Sequence, residues 1–184
     1  FYKDEGTSTW KTHVAASVEP WNVEGWALPN LPGLITDFVI SLNDKYLYLS
    51  NWLQGDIRQY DISDPAKPKL VGQLYLGGVA REGSSVFIVD SKTNEKRQIK
   101  VPTIIDPKTK QEKQLQGGPQ MIQLSLDGKR LYVTNSLFSA WDQQFYPDMV
   151  QKGSYLLQID VDTEKGGLSV NNNFFIDFGN EPYG

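Results

Sequence analysis

The stretch ISLNDKYLYLSNWL, residues 40–53, returns 84 residues later as LSLDGKRLYVTNSL, residues 124–137. A second pair of segments follows in the same order, because RQYDIS (58–63) aligns with LQIDVD (157–162) at an offset of 99 residues. The second copy therefore holds 15 more residues than the first, and they form an aromatic-rich insertion. An internal repeat of this kind is typical of folds that stack copies of one small unit.

Strand patterns run along the whole chain, as short segments rich in β-branched and aromatic residues with turn residues between them. They are FVISL (38–42), KYLYLSNW (45–52), DIRQYDI (56–62), KLVGQLYL (69–76), SVFIVD (85–90), RQIKVPTII (97–105), QMIQLSL (120–126), KRLYVTNS (129–136), YLLQIDV (155–161) and FFIDF (174–178). The pairs Asn43-Asp44 and Asp127-Gly128 suit tight hairpins that need a positive φ. Helical periodicity is weak and lies around 141–153, where Pro147 limits it to a turn or two. The sequence therefore predicts an all-β chain.

The repeated unit predicts the blades of a β-propeller. Each blade is a twisted four-stranded sheet that stacks on its neighbours, whereas a sandwich or barrel does not require repeated blocks with aligned turns. At about 40–50 residues for a plain blade, the chain holds roughly three to four blades. We expect residues 1–184 to form a partial propeller domain, with an inserted hairpin region at 79–116, within one larger propeller of about seven or eight blades.

The ends of the chain support the same expectation. FYKDEGTSTW (1–10) has no initiator Met, no apolar signal core and no Arg-rich transit character. The chain starts and stops within strand-like patterns, so we interpret it as a piece of a longer protein. A wedge of a few blades would also expose an apolar face at each end, where the neighbouring blades are missing.

Composition narrows the functional classes. The chain carries 22 acidic and 18 basic residues and a net charge of −4, which argues against nucleic-acid binding, since phosphates require concentrated Lys and Arg. No apolar run approaches the roughly 20 residues of a membrane span. Cysteine is absent, which excludes disulfides, thiolate zinc sites and cysteine nucleophiles in this chain and is compatible with the cytoplasmic location that we expect.

Two long segments carry a family resemblance. LPGLITDFVISLNDKYLYLSNWLQGDIRQYDISDP (31–65) resembles the selenium-binding protein family, and so does GGPQMIQLSLDGKRLYVTNSLFSAWDQQFYPDMVQKGSYLLQIDVDTEKGGL (117–168), followed by NNNFFIDFGNEP (171–182). The similarity covers nearly the whole chain and is looser at 79–116. The resemblance implies a position in the C-terminal half of a longer propeller, without the extreme C-terminal segment that usually carries His and Cys.

The resemblance also implies an activity. Characterised family members are methanethiol oxidases, which depend on copper and convert methanethiol to formaldehyde, hydrogen sulfide and hydrogen peroxide. The family's blade turn normally reads Asn-Trp-Leu-His-Gly-Asp, whereas this chain reads NWLQGD (51–56), with Gln54 at the histidine position. Copper favours imidazole ligands, and an amide is a poor substitute. His13 is the single histidine and is interpreted as a surface residue, so the chain supplies no metal site of its own.

Five residues are candidates for facing a substrate or a partner. They are Trp52, Gln54, Asp56, Trp141 and Asp142. Alternatives remain for most of them: Asp56 and Arg58 fit ordinary charge pairing in a sheet, and aromatic insertions often only pack the loop down. No residue is assigned a catalytic role, because a single histidine leaves no Ser-His-Asp arrangement.

Two functional hypotheses follow from the resemblance and the Gln54 replacement. The first is a fragment of a methanethiol oxidase whose metal lies near the central channel, held by residues mostly outside this chain. The second is a non-catalytic propeller that serves as a binding scaffold within a larger assembly. The expected partners are the rest of its own propeller, a small sulfur or selenium compound, and a protein; selenium binding is implied only by the family name.

Overall fold

A computed structural model describes residues 1–4 and 6–179. Within them the chain forms sixteen strands and two short helices, so the all-β prediction is confirmed. The strands are β1 (Tyr2–Lys3), β2 (Trp10–Lys11), β3 (Trp21–Glu24), β4 (Asn30–Leu31), β5 (Ile35–Ile40), β6 (Tyr46–Asn51), β7 (Asp56–Asp61), β8 (Lys69–Tyr75), β9 (Phe87–Val89), β10 (Lys96–Arg97), β11 (Thr103–Ile105), β12 (Glu112–Gln114), β13 (Ile122–Leu124), β14 (Arg130–Thr134), β15 (Tyr155–Val161) and β16 (Leu168–Asp177). The helices are α1 (Ser139–Phe145) and α2 (Pro147–Lys152). Residues 180–182 of the segment that carries the family resemblance lie outside the described residues.

Two antiparallel four-stranded sheets dominate the structure. The first sheet has the order β5-β6-β7-β8 and the second has the order β13-β14-β15-β16, so each is a meander of sequential strands. Tyr46 pairs with Asp61 in the first sheet, and Arg130 pairs with Asp160 at the equivalent position of the second. The repeat seen in the sequence is therefore a repeat of strand register, consistent with propeller blades.

The two sheets pack face to face around one core. Tyr48 and Ile57 on the first sheet belong to the same buried cluster as Leu131 and Leu157 on the second. Alternate residues of a strand point to opposite faces, and this places every second side chain of β6 and β7 in the interface. The hydrophobic alternation in the sequence thus selects which face of each sheet is buried.

Polar contacts fix the alignment of the sheets. The backbone N–H of Ile122 donates to Asp37 Oδ2 at 2.9 Å, and Ser50 Oγ donates to the carbonyl oxygen of Gln120 at 2.8 Å. At the opposite end, the backbone N–H of Gly167 donates to Gln59 Oε1 at 2.7 Å. Gln59 is fully buried, so its amide satisfies backbone groups that water cannot reach.

The sheets have two different ends. The turn end consists of the connections β5–β6, β7–β8, β13–β14 and β15–β16, which are short and polar. The loop end contains residues 52–55, 76–84, 116–121 and 135–154, including both helices. Because the strands are antiparallel, the β6–β7 turn, the β14–β15 insertion and the chain that links the sheets all meet at the loop end.

The turn end repeats its chemistry in both sheets. Ser41 Oγ donates to Asn43 Oδ1 at 2.7 Å and accepts the backbone N–H of Tyr46, and Ser125 makes the matching pair of bonds with Asp127 and Arg130. Asp44 and Gly128, which are equivalent in the repeat, have φ values of 55° and 72°. The predicted positive φ is confirmed at the second residue of each turn pair.

Residues between the two sheets form smaller elements. Sheet β10-β9-β3-β4 joins the N-terminal part of the chain to the region 79–116, and β11-β12 forms a separate hairpin. The prediction of one strand over 97–105 was wrong, because β10 ends at Arg97 and β11 starts only at Thr103. Pro102 lacks a backbone N–H and interrupts the pairing. The helices match the predicted helical turns, and Pro147 begins α2, where its missing N–H costs nothing.

The outer faces of the two sheets carry exposed apolar side chains. Phe38, Ile40 and Leu70 on the first sheet are 65%, 45% and 47% exposed, and Ile176 on the second is 38% exposed. They lie on the faces that the other sheet does not cover, as expected for a stack that continues at both ends. No helix in the described part of the chain is long and apolar enough to cross a membrane.

Candidate functional site

Trp52 forms the centre of the loop end. Its side chain is fully buried, and its ring contacts Phe145 and Tyr146 edge to face at centroid distances of 5.2 and 5.0 Å. Tyr146 donates its hydroxyl hydrogen to the Trp52 carbonyl oxygen at 2.5 Å, and burial raises the pKa of Tyr146 well above its ordinary value. The insertion of the second sheet is thereby fastened onto the short turn of the first.

Glycines allow this turn to pack tightly. Gly55 has a φ of 84°, and a Cβ there would lie 2.2 Å from the carbonyl oxygen of Gly77. A Cβ on Gly118 would lie 2.0 Å from the carbonyl oxygen of Trp52. Side chains at these positions would separate three segments of the loop end, so the backbones can approach only as glycine.

Asp56 is the acceptor at the centre of a buried polar network. Its carboxylate receives hydrogen bonds from Asn51 Nδ2 at 3.0 Å, Arg58 Nε at 2.8 Å and Gln73 Nε2 at 2.6 Å. Burial lowers the pKa of Arg58, but the charge and hydrogen bond of Asp56 outweigh it, and the net pKa is raised. These hydrogen bonds compensate the burial of both side chains. Asp56 has no exposed surface through which to bind a ligand directly.

Gln54 extends this network to the N-terminal part of the chain. Its Nε2 donates to the carbonyl oxygen of Glu19 at 2.8 Å and to that of Leu31 at 3.3 Å. Its Oε1 accepts a hydrogen bond from Arg58 Nη2 at 3.2 Å. All three bonds hold protein atoms, and the residue is 1% exposed. Gln54 is therefore a tether between the β6–β7 turn and residues 19–31.

The predicted residues of the insertion separate into two environments. Asp142 is 1% exposed, and its carboxylate accepts hydrogen bonds from Ser136 Oγ at 2.7 Å and from the backbone N–H of Leu137 at 3.1 Å. These bonds hold the start of the insertion against α1. Trp141, by contrast, is 47% exposed and lies 6.3 Å from the Trp52 ring.

The structure thus brings four of the five sequence candidates into the interior of the loop end. Trp52, Gln54, Asp56 and Asp142 are each at most 1% exposed, and Trp141 alone among the five reaches the surface of the described chain. Trp52 and Trp141 share one aromatic cluster, and Arg58 connects Gln54 to Asp56.

Sequence reasoning missed two clefts at the loop end. The larger is about 580 Å³ in volume and lies between β11–β12, α2 and the end of β16. The smaller is about 380 Å³ and lies between α2 and residues 78–86. Arg81, Gln116 and Asp148 line both. Their positions are far apart in the sequence, and no motif connects them.

Comparison with known proteins identifies the family. The model of the 56kDa selenium binding protein (SBP56) family matches residues 1–184. The chain belongs to this family. The resemblance carried by residues 31–65 and 117–168 is confirmed.

Family relatives are similar along the entire chain. Selenium-binding protein 3 of Arabidopsis thaliana is 59% identical over 184 residues, and the proteins named methanethiol oxidase of Xenopus tropicalis and Homo sapiens are 58% and 54% identical. Each match covers 100% of this chain and 37% of the relative, so the chain spans little more than a third of these proteins. The crystal structure of a hypothetical selenium-binding protein from Sulfolobus tokodaii is 40% identical, with a TM-score of 0.58 over 82% of this chain and 27% of that one.

The described residues of this selenium-binding family member do not fit a copper site. Among residues 1–4 and 6–179, no group of three or more His, Cys, Asp or Glu side chains is placed to hold a metal ion. His13 is exposed, with its Nε2 3.4 Å from the carbonyl oxygen of Ala66, and Gln54 uses its amide for protein contacts. Imidazole ligands for copper are therefore not assembled by this part of the chain.

Proposed function

We propose that the chain is part of a longer methanethiol oxidase. The observation that carries the proposal is the identity of 54–58% to relatives named methanethiol oxidase, which extends over every residue of the chain. Because the matches span the whole chain, they include the β6–β7 turn, the insertion and both sheets, which supports a shared architecture at the loop end.

The proposed reaction consumes methanethiol, dioxygen and water and releases formaldehyde, hydrogen sulfide and hydrogen peroxide. The carbon–sulfur bond breaks, the carbon is oxidised to the aldehyde level, and dioxygen takes up the two electrons as peroxide. We assign copper and its ligands to parts of the protein outside this chain. The contribution of this chain is to hold the loop end rigid, through the Trp52 cluster and the Asp56 network.

The test is carried out on the full-length protein. We expect copper to co-purify with it, and methanethiol addition to give hydrogen peroxide and formaldehyde in equal amounts. Removal of copper by a chelator should abolish both products, and copper but not zinc should restore them. Protein that is loaded with copper and yields neither product would contradict the proposal.

Two narrower proposals accompany the oxidase. Selenium binding is supported by the family name and by the relative named selenium-binding protein 3, and it is tested by measuring protein-bound selenium after incubation with selenite. A cytoplasmic location is compatible with the absence of cysteine from the chain, and it is tested by cell fractionation.

A further inference from the structure

The larger cleft of the loop end, which we name the arginine cleft, carries charges of both signs. Arg81, Lys113 and Lys152 supply three positive charges, and Glu112, Asp148 and Asp177 supply three negative charges. The charges come from separate elements: the chain after β8, the β12 strand, α2 and β16. Such a lining disfavours a strongly anionic ligand and favours one whose own charges balance.

Arg81 has unused hydrogen-bonding capacity. Its side chain is 15% exposed, one nitrogen donates to the carbonyl oxygen of Glu82 at 3.3 Å, and another lies 3.9 Å from Asp148 Oδ2. A guanidinium offers five donors in a planar fork that matches a carboxylate. Among the described residues Arg81 meets no acceptor that uses this fork, so its remaining donors are available at the cleft.

Two other charged residues of the cleft, Lys113 and Asp148, differ in how they are paired. Lys113 is occupied, because it pairs with Asp177 and lies 3.7 Å from Asp106, which fastens the β11–β12 hairpin to β16. Asp148 is 64% exposed at the mouth and is the acid beside Arg81. The side-chain amide of Gln116 has no hydrogen-bond partner within the described ranges and lines the same cleft. A cation and an anion thus lie next to each other on an accessible surface.

Methanethiol does not explain this arrangement. It is a small molecule without charge at neutral pH, and it offers nothing for a guanidinium or a carboxylate to recognise. The arginine cleft is also far larger than a one-carbon thiol requires. Methanethiol is therefore not a molecule that the lining of the arginine cleft matches.

We propose that the arginine cleft binds a free α-amino acid in its zwitterionic form. The carboxylate of the amino acid bonds to Arg81, and its ammonium group faces Asp148. In an α-amino acid the carboxylate and the ammonium group are bonded to the same carbon atom, so their spacing matches the adjacent charges of Arg81 and Asp148. Tyr155 and Phe175 line the inner part of the cleft and suit an apolar or thioether side chain.

Titration calorimetry on the full-length protein tests the proposal with L-methionine as the probe. We expect saturable binding of L-methionine. Binding of 4-(methylthio)butanoate, which is methionine without the ammonium group, and of inorganic phosphate should each be at least about tenfold weaker. Arg81→Gln should weaken L-methionine binding about 10- to 100-fold, because a charge-assisted bidentate contact is lost. Asp148→Asn should weaken it about tenfold and is an exposed position whose substitution leaves folding intact.

The matched control is Lys92→Gln, an exposed cation on the β9–β10 hairpin, which should leave L-methionine binding unchanged. Circular dichroism of Arg81→Gln establishes that the variant is folded. The proposal would be overturned if L-methionine showed no saturable binding, or if the Arg81→Gln or Asp148→Asn variant bound it as tightly as the unmodified protein does. Tighter binding of phosphate than of L-methionine would overturn it as well.

Discussion

The two four-stranded sheets share one strand register, but their loop-end connections are completely different. The first sheet turns from β6 to β7 through residues 52–55, whereas the second goes from β14 to β15 through residues 135–154 and two helices. The insertion of the second sheet packs on the turn of the first, through Tyr146 and Trp52. The two repeated sheets therefore form the scaffold, and their different loop-end connections form the candidate site.

We predict the largest change in the free energy of unfolding for a glycine substitution at the loop end, compared with one at the turn end. Gly55→Ala should cost several kcal/mol or prevent folding, because its Cβ would lie 2.2 Å from the Gly77 carbonyl oxygen at a φ of 84°. Gly128→Ala in the turn end of the second sheet has a similar φ of 72°, but its nearest contact is 3.7 Å away, so it should cost about 1 kcal/mol. Urea unfolding of both variants measures the difference. Equal costs would show that the loop end is not packed as described.

Gln59 and Gln158 occupy equivalent positions of the repeat but lie in different environments. Gln59→Leu should cost about 1–3 kcal/mol, because the backbone N–H of Gly167 and the carbonyl oxygen of Asp162 lose their buried partner. Gln158→Leu changes the same residue type in the second sheet, where the amide bonds Asp160 near solvent, and should cost less than about 0.5 kcal/mol. The measurement is again the free energy of unfolding. A larger cost for Gln158→Leu would reverse our assignment of the inner faces.

These pairs show how much of the fold could be predicted from the sequence. The register of both sheets could be predicted because local turn chemistry at Ser41 and Ser125 repeats together with the hydrophobic alternation. The pairing of β3 with β9 could not, because it joins segments about sixty residues apart without a shared motif. Pro102 indicates the break within 97–105, because proline cannot donate a backbone hydrogen bond to a neighbouring strand. The apolar residues around it nevertheless favour one continuous strand.

The sequence could group three of the candidate residues in one turn, whereas their role toward a substrate or partner stays a prediction. Trp52, Gln54 and Asp56 were singled out by their types within one short turn, and they do lie at the loop end. Their burial depends on residues 19–31 and on the insertion covering them, and single-sequence patterns do not report such long-range contacts. Arg81 escaped attention because its neighbours in space, Gln116 and Asp148, are distant in the chain.

Removing the Tyr146 hydroxyl tests the contact between the insertion of the second sheet and the turn of the first. Tyr146→Phe should cost about 1–3 kcal/mol, because the Trp52 carbonyl oxygen is left buried without its donor. Tyr132→Phe is the control, since Tyr132 packs against Phe174 and its hydroxyl makes no hydrogen bond within residues 1–4 and 6–179. Thermal unfolding of both variants provides the comparison. Indifference to Tyr146→Phe would mean that the insertion does not depend on this bond.

The smallest effect concerns acid sensitivity at the turn end. Bonds from the Ser125 hydroxyl and the backbone N–H of Lys129 lower the pKa of Asp127. A lowered folded pKa stabilises the protein above the unfolded pKa of about 3.9, and this contribution is lost as pH falls through the folded value. Asn43 fills the equivalent place in the first sheet and does not titrate. Asp127→Asn should therefore reduce the loss of stability between about pH 5 and pH 2, and Asn43→Asp should increase it, by urea midpoints. Identical pH profiles for all three proteins would refute this account of the turns.

At the loop end, Gln54 is a structural tether and not a metal ligand. The copper content of a Gln54 variant tests this role most directly. In the full-length protein, Gln54→Ala should keep the wild-type copper content per folded chain. Its free energy of unfolding should fall by about 1–3 kcal/mol, because the carbonyl oxygens of Glu19 and Leu31 and the guanidinium of Arg58 lose their partner. Loss of copper from a Gln54→Ala protein with unchanged stability would contradict the assignment of Gln54 as a tether.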